Sequence, residues 1–197
     1  AQSTNTRELI LEILLQITRD GEYCHIALKN ALDQYQFLEK QERAFITRVV
    51  NGTLERMIEL DYIIDQFSKV KVNKMKPVIR TILRSGVYQL KYMDSVPASA
   101  ACNEAVKLAV KRGFGNLRGF VNGVLRNIGR NLSELRYPSE KDRLHYLSVR
   151  YSIPEWILEG WLLEYEEDTV RAMAEEFLRE RPVTVRFHPD RISKAEL

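Results

Sequence analysis

The sequence predicts an all-α protein, and three observations carry that reading. Apolar residues recur with helical period over most of the 197 residues. Between them lie residues that stop or start helices: Asp20-Gly21, Pro77, Ser95-Val96-Pro97, Gly113-Phe114-Gly115 and Pro182. Only residues 183–187 alternate with the period of two that marks a strand.

Asn5 followed by Glu8 has the form of a capping box. Leu9, Ile10, Ile13, Leu14 and Ile17 then make one apolar stripe, which Asp20-Gly21 ends. A second helix is expected through Ile26, Ala27, Leu28, Ala31 and Leu32. A third begins near Glu39 and carries Ala44, Phe45, Ile46, Val49, Val50 and Leu54. The fourth, over residues 58–67, uses Leu60, Ile63, Ile64 and Phe67. After a Lys-rich connector at 69–76, Pro77 suits a first helical turn, where its missing N–H would go unpaired anyway. The helix behind it is built on Ile79, Ile82, Leu83, Val87 and Leu90. Residues 98–111 and 117–132 read as two more, with a glycine stop between them and Asn116 as N-cap of the second.

Past Tyr137-Pro138 the composition changes. Residues 139–150 and 154–181 read as two further helices, the last rich in acid at Glu164, Glu166, Glu167, Asp168, Glu175 and Glu176. Pro182 ends it, and the strand at 183–187 follows. A lone strand is not stable, so its partners are expected beyond residue 197. Ala195-Glu196-Leu197 reads as the opening turn of a helix, so the sequence is expected to be truncated. Self-similarity at the ~30–45-residue periods of helical repeats is missing, which argues against a solenoid.

Composition and charge narrow the function classes. Hydrophobic residues at 45% and charged ones at 29% fit an ordinary globular protein. No apolar run approaches the roughly 20 residues of a membrane helix, and no signal peptide opens the chain. Cys24 and Cys102 make no disulfide framework, so a reducing cytoplasm is the expected compartment. Charge is distributed unevenly. Residues 69–136 hold 14 Lys or Arg against three acids, Asp94, Glu104 and Glu134. Residues 1–68 hold 7 basic and 11 acidic side chains, and residues 137–197 hold 9 and 13. One basic block between two acidic ones points to a polyanion partner, most naturally nucleic acid.

No catalytic constellation stands out. His25, His145 and His188 are far apart, with no Cys/His spacing for zinc. Cys24-His25 has neither a third ligand nor an orienting partner. Gly113, Gly115 and Gly119 lie between helices and do not follow a strand, so they are no dinucleotide fingerprint. The basic residues do show order. Lys76, Arg80 and Arg84 recur every four residues and share a helix face, as do Lys107 with Lys111 and Arg126 with Arg130. With Arg112 and Arg118 beside the glycine turn, these nine are the expected phosphate contacts. Lys69, Lys71 and Lys74 are secondary, and Arg7 is a further candidate. Tyr88, Tyr92, Phe114 and Phe120 read as core rather than base-stacking platforms. Asn103 and Asn122 read as a buried pair locking two helices, and Trp156 and Trp161 as anchors of the tail.

Two stretches resemble a known signature. Val96-Pro97-Ala98-Ser99-Ala100-Ala101-Cys102-Asn103-Glu104-Ala105-Val106-Lys107-Leu108-Ala109 and Phe120-Val121-Asn122-Gly123-Val124-Leu125-Arg126 closely resemble motifs of the NusB-like family. Arg80-Thr81-Ile82-Leu83-Arg84-Ser85-Gly86-Val87-Tyr88-Gln89-Leu90 fits the same pattern, and the resemblance spans roughly residues 5–132. It implies an all-helical RNA-binding bundle, known as an antitermination factor or fused to a ribosomal RNA methyltransferase, and its basic first-helix face is what makes Arg7 a candidate. Beyond it, Arg150-Tyr151-Ser152-Ile153-Pro154-Glu155-Trp156-Ile157 resembles the linker of RsmB/Sun-class ribosomal RNA (cytosine-C5) methyltransferases. Pro182-Val183-Thr184-Val185-Arg186-Phe187 resembles the first strand of their small RNA-binding subdomain.

The organisation this implies is a bundle over 5–136, a helical linker over 137–181 and the start of a truncated subdomain over 182–197. The implied partners are small-subunit ribosomal RNA and a C-terminal methyltransferase domain. S-adenosylmethionine is then expected in that absent domain and not in this fragment, which is expected to lack methyl-transfer activity. A free-standing antitermination factor and a helical protein-interaction module are the alternatives.

Overall fold

The structure is a computed structural model, and it describes residues 5–179. Ten α-helices span these residues: α1 (Thr6–Thr18), α2 (Cys24–Gln34), α3 (Lys40–Glu55), α4 (Met57–Phe67), α5 (Pro77–Tyr92), α6 (Ala98–Lys111), α7 (Arg118–Arg130), α8 (Arg143–Tyr151), α9 (Glu155–Glu164) and α10 (Glu167–Phe177). Short 3-10 turns at Val72–Lys74, Gly115–Leu117 and Leu132–Glu134 connect them, and no strand occurs among the described residues. The strand expected at 183–187 lies outside the described residues. No described helix is long and apolar enough to cross a membrane.

The caps explain several boundaries. Asn5 accepts hydrogen bonds from the backbone N–H groups of Arg7 and Glu8 and so starts α1. Glu39 and Glu42 form a reciprocal capping box at α3. Pro77 occupies the first turn of α5. Gly113, at φ +83°, turns the chain out of α6 in the left-handed region that a side chain disfavours. Asn116 is not a cap: a 3-10 turn at Gly115–Leu117 precedes α7, whose N-cap position is Leu117, with no side-chain hydrogen bond.

The bundle is organised around α5, which packs against α1, α3, α4, α6 and α7. Ile79 and every residue from Thr81 to Gln89 are buried, so α5 has almost no solvent face. Several of its interior polar groups are engaged, whereas Arg80 Nε is buried without a hydrogen-bond partner among the described residues. Ser85 Oγ donates to the Ile82 carbonyl at 3.1 Å, and Gln89 Nε2 to the Ser85 carbonyl at 3.0 Å. Gln89 Oε1 accepts from Arg7 Nε at 3.0 Å. Pairing of this kind removes the penalty of burying polar atoms.

A second, smaller core joins the tail helices through Leu147, Tyr151, Leu158, Val170 and Ala174. The tail differs from the sequence expectation in two respects: the helix expected over 139–150 begins only at Arg143, and the second expected helix is split. Where one helix was expected over 154–181, the chain breaks at Tyr165 and Glu166, both extended, and restarts as α10. Glu164 closes α9 at the negative end of its dipole, whereas Glu167 and Asp168 fall in the first turn of α10, where acids are favoured. Splitting the acidic run therefore relieves it.

The tail is fastened to the bundle at Glu59, which is 0% exposed. Its carboxylate accepts hydrogen bonds from Lys91 Nζ and from the hydroxyls of Tyr92 and Tyr137. Arg56 lies 3.8 Å away, and the Glu59 backbone N–H donates to Ser152 Oγ at 3.0 Å. Burial and the Glu59 charge push both phenols above their usual range, while burial pulls the Lys91 ammonium down. One buried carboxylate thus ties α4, α5, the 137 segment and the end of α8 together.

Candidate nucleic-acid interface

The basic block folds into several environments. Arg84 is 9% exposed and forms a two-pronged pair with Asp61 of α4, both bonds 2.6 Å long. Arg7 is half-buried; its guanidinium lies 5.1 Å over the Phe45 ring, and burial holds its pKa below the usual range. Both are engaged inside the bundle and present little to a large anion. Arg80, one turn before Arg84, is half-buried.

A second group faces α1. Lys111 pairs with Glu8, and Arg112 with Glu12 at 2.6 Å and Glu8 at 3.8 Å. These contacts spend the positive charge locally. Next to them, a cleft of about 440 Å³ between α1 and α2 is lined by Glu12, Asp20 and Glu22, which repels a polyanion.

The remaining charge gathers where α6 and α7 pack together. An open groove of about 510 Å³ is lined by Asn103, Val106, Lys107, Arg118, Gly119, Asn122 and Arg126. Arg118 and Arg126 are exposed, and neither has an acidic partner within 4.0 Å among the described residues. Arg126 Nε donates to Asn122 Oδ1 at 2.8 Å, and its terminal nitrogen to Asn103 Oδ1 at 3.4 Å. The two asparagines are therefore not a buried lock: Asn103 is exposed, Asn122 half-buried, and together they hold Arg126 at the rim. Neutral partners orient a guanidinium without cancelling its charge. Lys107, its side chain 71% exposed, pairs with Glu104 at 2.7 Å, and Arg130 is exposed one turn beyond Arg126.

Lys69, Lys71, Lys74 and Lys76 are exposed on the connector before α5, with Asp65 3.7 Å from Lys71. Phe114 and Phe120 pack against the main core, and Tyr88 is buried in it. Trp161 packs on the tail core, while Trp156 is 73% exposed. Cys24 Sγ contacts Asn51 Oδ1 at 3.4 Å, and burial raises its thiol pKa, so Cys24-His25 is no nucleophilic dyad. Asn103 and Asn122 are the members of the groove that spacing missed as surface residues. Their signal was positional: on each helix they fall three or four residues from an exposed cation.

A compact helical bundle with a polar, cation-rimmed seam is the architecture of a known class. The chain belongs to the NusB family, which matches residues 4–130. Transcription antitermination protein NusB of Bacillus velezensis (strain DSM 23117 / BGSC 10A6 / LMG 26770 / FZB42) is 37% identical over 123 residues, covering 62% of this chain and 91% of that protein. The similarity that reaches through the tail is to another protein, the probable ribosomal RNA small subunit methyltransferase B of Bacillus subtilis (strain 168). It is 32% identical over 196 residues, 100% of this chain. The chain spans 43% of that relative's length. Among solved structures, NusB and NusE in complex with dsRNA matches with a TM-score of 0.58 at 23% identity, over 64% of this chain and 93% of that one. That likeness shows the fold.

Proposed function

We propose that these residues are the RNA-binding helical part of an S-adenosylmethionine-dependent ribosomal RNA (cytosine-C5) methyltransferase. Small-subunit ribosomal RNA is the partner, and a methyltransferase domain outside these residues is the second. The observation that carries this reading is the α6–α7 groove, where Arg118 and Arg126 face solvent without acidic partners among the described residues and Lys107 stands alongside. Fixed cations along one seam contact a sugar-phosphate backbone with little base readout. The exposed Arg130, Lys69, Lys71, Lys74 and Lys76 are further phosphate contacts in this reading, and Arg80, Lys111 and Arg112 secondary ones. Similarity to a small-subunit methyltransferase over 100% of this chain supports the enzyme context and the ribosomal substrate.

The described residues do not fit S-adenosylmethionine. A glycine-rich strand–turn–helix needs a strand, and none occurs among them, so no step of methyl transfer is assigned here. The chain's own contribution is to hold RNA while another domain acts.

Fluorescence anisotropy with small-subunit ribosomal RNA hairpins, from about 50 to about 300 mM salt, tests this. The parent chain should show a steep fall of affinity with salt. In the Arg118→Ala/Arg126→Ala variant the slope should shrink by about 2, with weaker binding to all hairpins alike. An unchanged slope would remove the groove from the RNA surface.

A further inference from the structure

The junction between bundle and tail gathers cations that the α6–α7 groove does not use. Arg56 joins α3 to α4, Lys91 lies in the last turn of α5, and Arg150 in the last turn of α8. Aromatic rings line them up. The Arg56 guanidinium sits 4.9 Å from the Tyr92 ring centroid, and Lys91 Nζ lies 4.8 Å from Tyr92 and 5.4 Å from Tyr137. On the far side of Tyr137 the row ends at the Arg150 guanidinium, 5.6 Å from that ring. Arg48 of α3 reaches the same place, its terminal nitrogen donating to the Tyr92 carbonyl at 3.3 Å.

Glu59 accounts for only part of this charge. Its buried carboxylate takes Lys91 directly and Arg56 at 3.8 Å. Arg48 and Arg150 are exposed, and neither has an acidic partner within 4.0 Å among the described residues. Burial is the main reason the Lys91 pKa is lowered, and the charges of Arg56 and Arg150 add to it against Glu59. Like charges are thus crowded where one cation would satisfy the carboxylate. Arg150 is also held in place. Ser152 turns the chain out of α8 at φ 53° and accepts the Glu59 backbone N–H at 3.0 Å, and the Tyr151 ring lies 5.9 Å from the Arg150 guanidinium. Rings and a carbonyl orient a guanidinium without neutralising it. The hydroxyls of Tyr92 and Tyr137 are spent on Glu59 and their rings on cations, so they serve the charges and not a stacked base.

We propose that Arg48 and Arg150, backed by Arg56 and Lys91, form a second contact for an RNA backbone, completed only when the tail packs on the bundle. RNA as the polyanion rests on the reading of the α6–α7 groove; the positive junction itself does not. A planar guanidinium fork suits phosphate oxygens, and two basic faces on one chain grip separate stretches of a folded RNA. The tail then contributes Arg150 to binding, beyond its part in the fold.

The test uses the 197-residue chain and the variant Arg48→Gln/Arg150→Gln. Neither side chain pairs with Glu59, so urea unfolding should match the parent. Anisotropy is followed against salt with a small-subunit ribosomal RNA segment of two adjacent hairpins, and with one hairpin alone. On the two-hairpin segment the salt slope should shrink by about 2. The single hairpin, which the groove can hold by itself, should keep its affinity within about threefold. Arg48→Lys/Arg150→Lys, which preserves both charges, should keep the parent slope. Arg143→Gln, at an exposed tail arginine already paired with Glu167, should leave it unchanged too. A parent slope in the Arg48→Gln/Arg150→Gln variant would overturn the proposal. So would polyglutamate that binds the parent more tightly than the RNA does and loses that binding in the variant, because the partner would then be an acidic protein. If Arg118→Ala/Arg126→Ala leaves the slope unchanged while Arg48→Gln/Arg150→Gln lowers it, the junction stands and the groove falls.

Discussion

Gly52 sits where the backbone of α3 passes the ring of Tyr88 on α5. A Cβ there would fall 2.0 Å from Tyr88 Cζ, and Tyr88 is itself 8% exposed with little room to swing. Gly52→Ala gains about 1 kcal/mol of helix propensity but overpacks the contact by more. The expected net is a loss of about 2 kcal/mol in urea unfolding, partly recovered when Tyr88→Leu is added. A Gly52→Ala protein as stable as the parent would mean that α3 can shift away from the ring. Side-chain fates at this scale were only half legible in the sequence. Spacing by four puts Arg80 and Arg84 one turn apart on α5, with Lys76 just before it as the extended N-cap, yet period alone does not say which way that side faces. Arg84 points at Asp61, a partner on α4 that nothing within α5 reveals. Lys111 and Arg112 likewise meet Glu8 and Glu12 of α1, roughly a hundred residues away in sequence. Arg118 and Arg126 stay open because α7 presents its apolar face, Val121, Val124, Leu125 and Ile128, to the core.

Elements were more legible than partners. In the bundle, where a single apolar stripe recurs every three or four residues, helices form close to expectation, as in α4 over Met57–Phe67, whereas α8 starts at Arg143, four residues after the expected 139. The break between α9 and α10 was not legible, because it depends on where an acidic run falls relative to two helix dipoles. Also hidden was Glu59, an acid in an otherwise apolar stripe, which reads as surface until its partners are known. Its cluster has a pH consequence. Tyr92 and Tyr137 have folded pKa values above the ordinary 10.0, chiefly through burial, with Glu59 adding to it. Above about pH 10 the unfolded chain releases protons that the folded one keeps, so stability is full below that pH and falls as pH rises. Lys91 has the opposite sign: burial lowers its folded pKa, so it costs stability at lower pH, and that cost is relieved as pH rises towards its unfolded value of 10.5 and changes no further beyond it. The tyrosine loss therefore dominates at the alkaline end, at up to about 1.4 kcal/mol per pH unit for each ring and less where solvent reaches it. Urea unfolding between about pH 9 and 11.5 should show a shallower decline in Tyr137→Phe than in the parent. Parallel declines would mean that Tyr137 ionises freely in the folded state.

For the whole molecule, the question is whether the acidic tail screens the basic bundle. Among the described residues the tail's ion pairs stay within the tail: Arg171 and Arg143 on Glu167, Arg179 on Glu176, and His145 beside Glu155. The cations of α6 that are paired find their acids on α1 or on α6 itself. Bundle and tail therefore meet through the Glu59 cluster and the α4–α8 contact, and not by mutual neutralisation of their surfaces. Removing residues 137–197 should then separate two effects. The remaining bundle loses the Tyr137 and Ser152 hydrogen bonds to Glu59, and a buried carboxylate missing a donor costs about 1–3 kcal/mol. Its unfolding midpoint in urea should fall accordingly, and Glu59→Gln in the shortened chain should return part of the loss. RNA affinity at fixed salt should stay within about threefold of the parent, since among the described residues no tail acid lines the α6–α7 groove. A rise of about tenfold or more on removing the tail would show instead that the acidic helices shield the basic face over a longer range. The bundle would then be held in check by its own C-terminal extension.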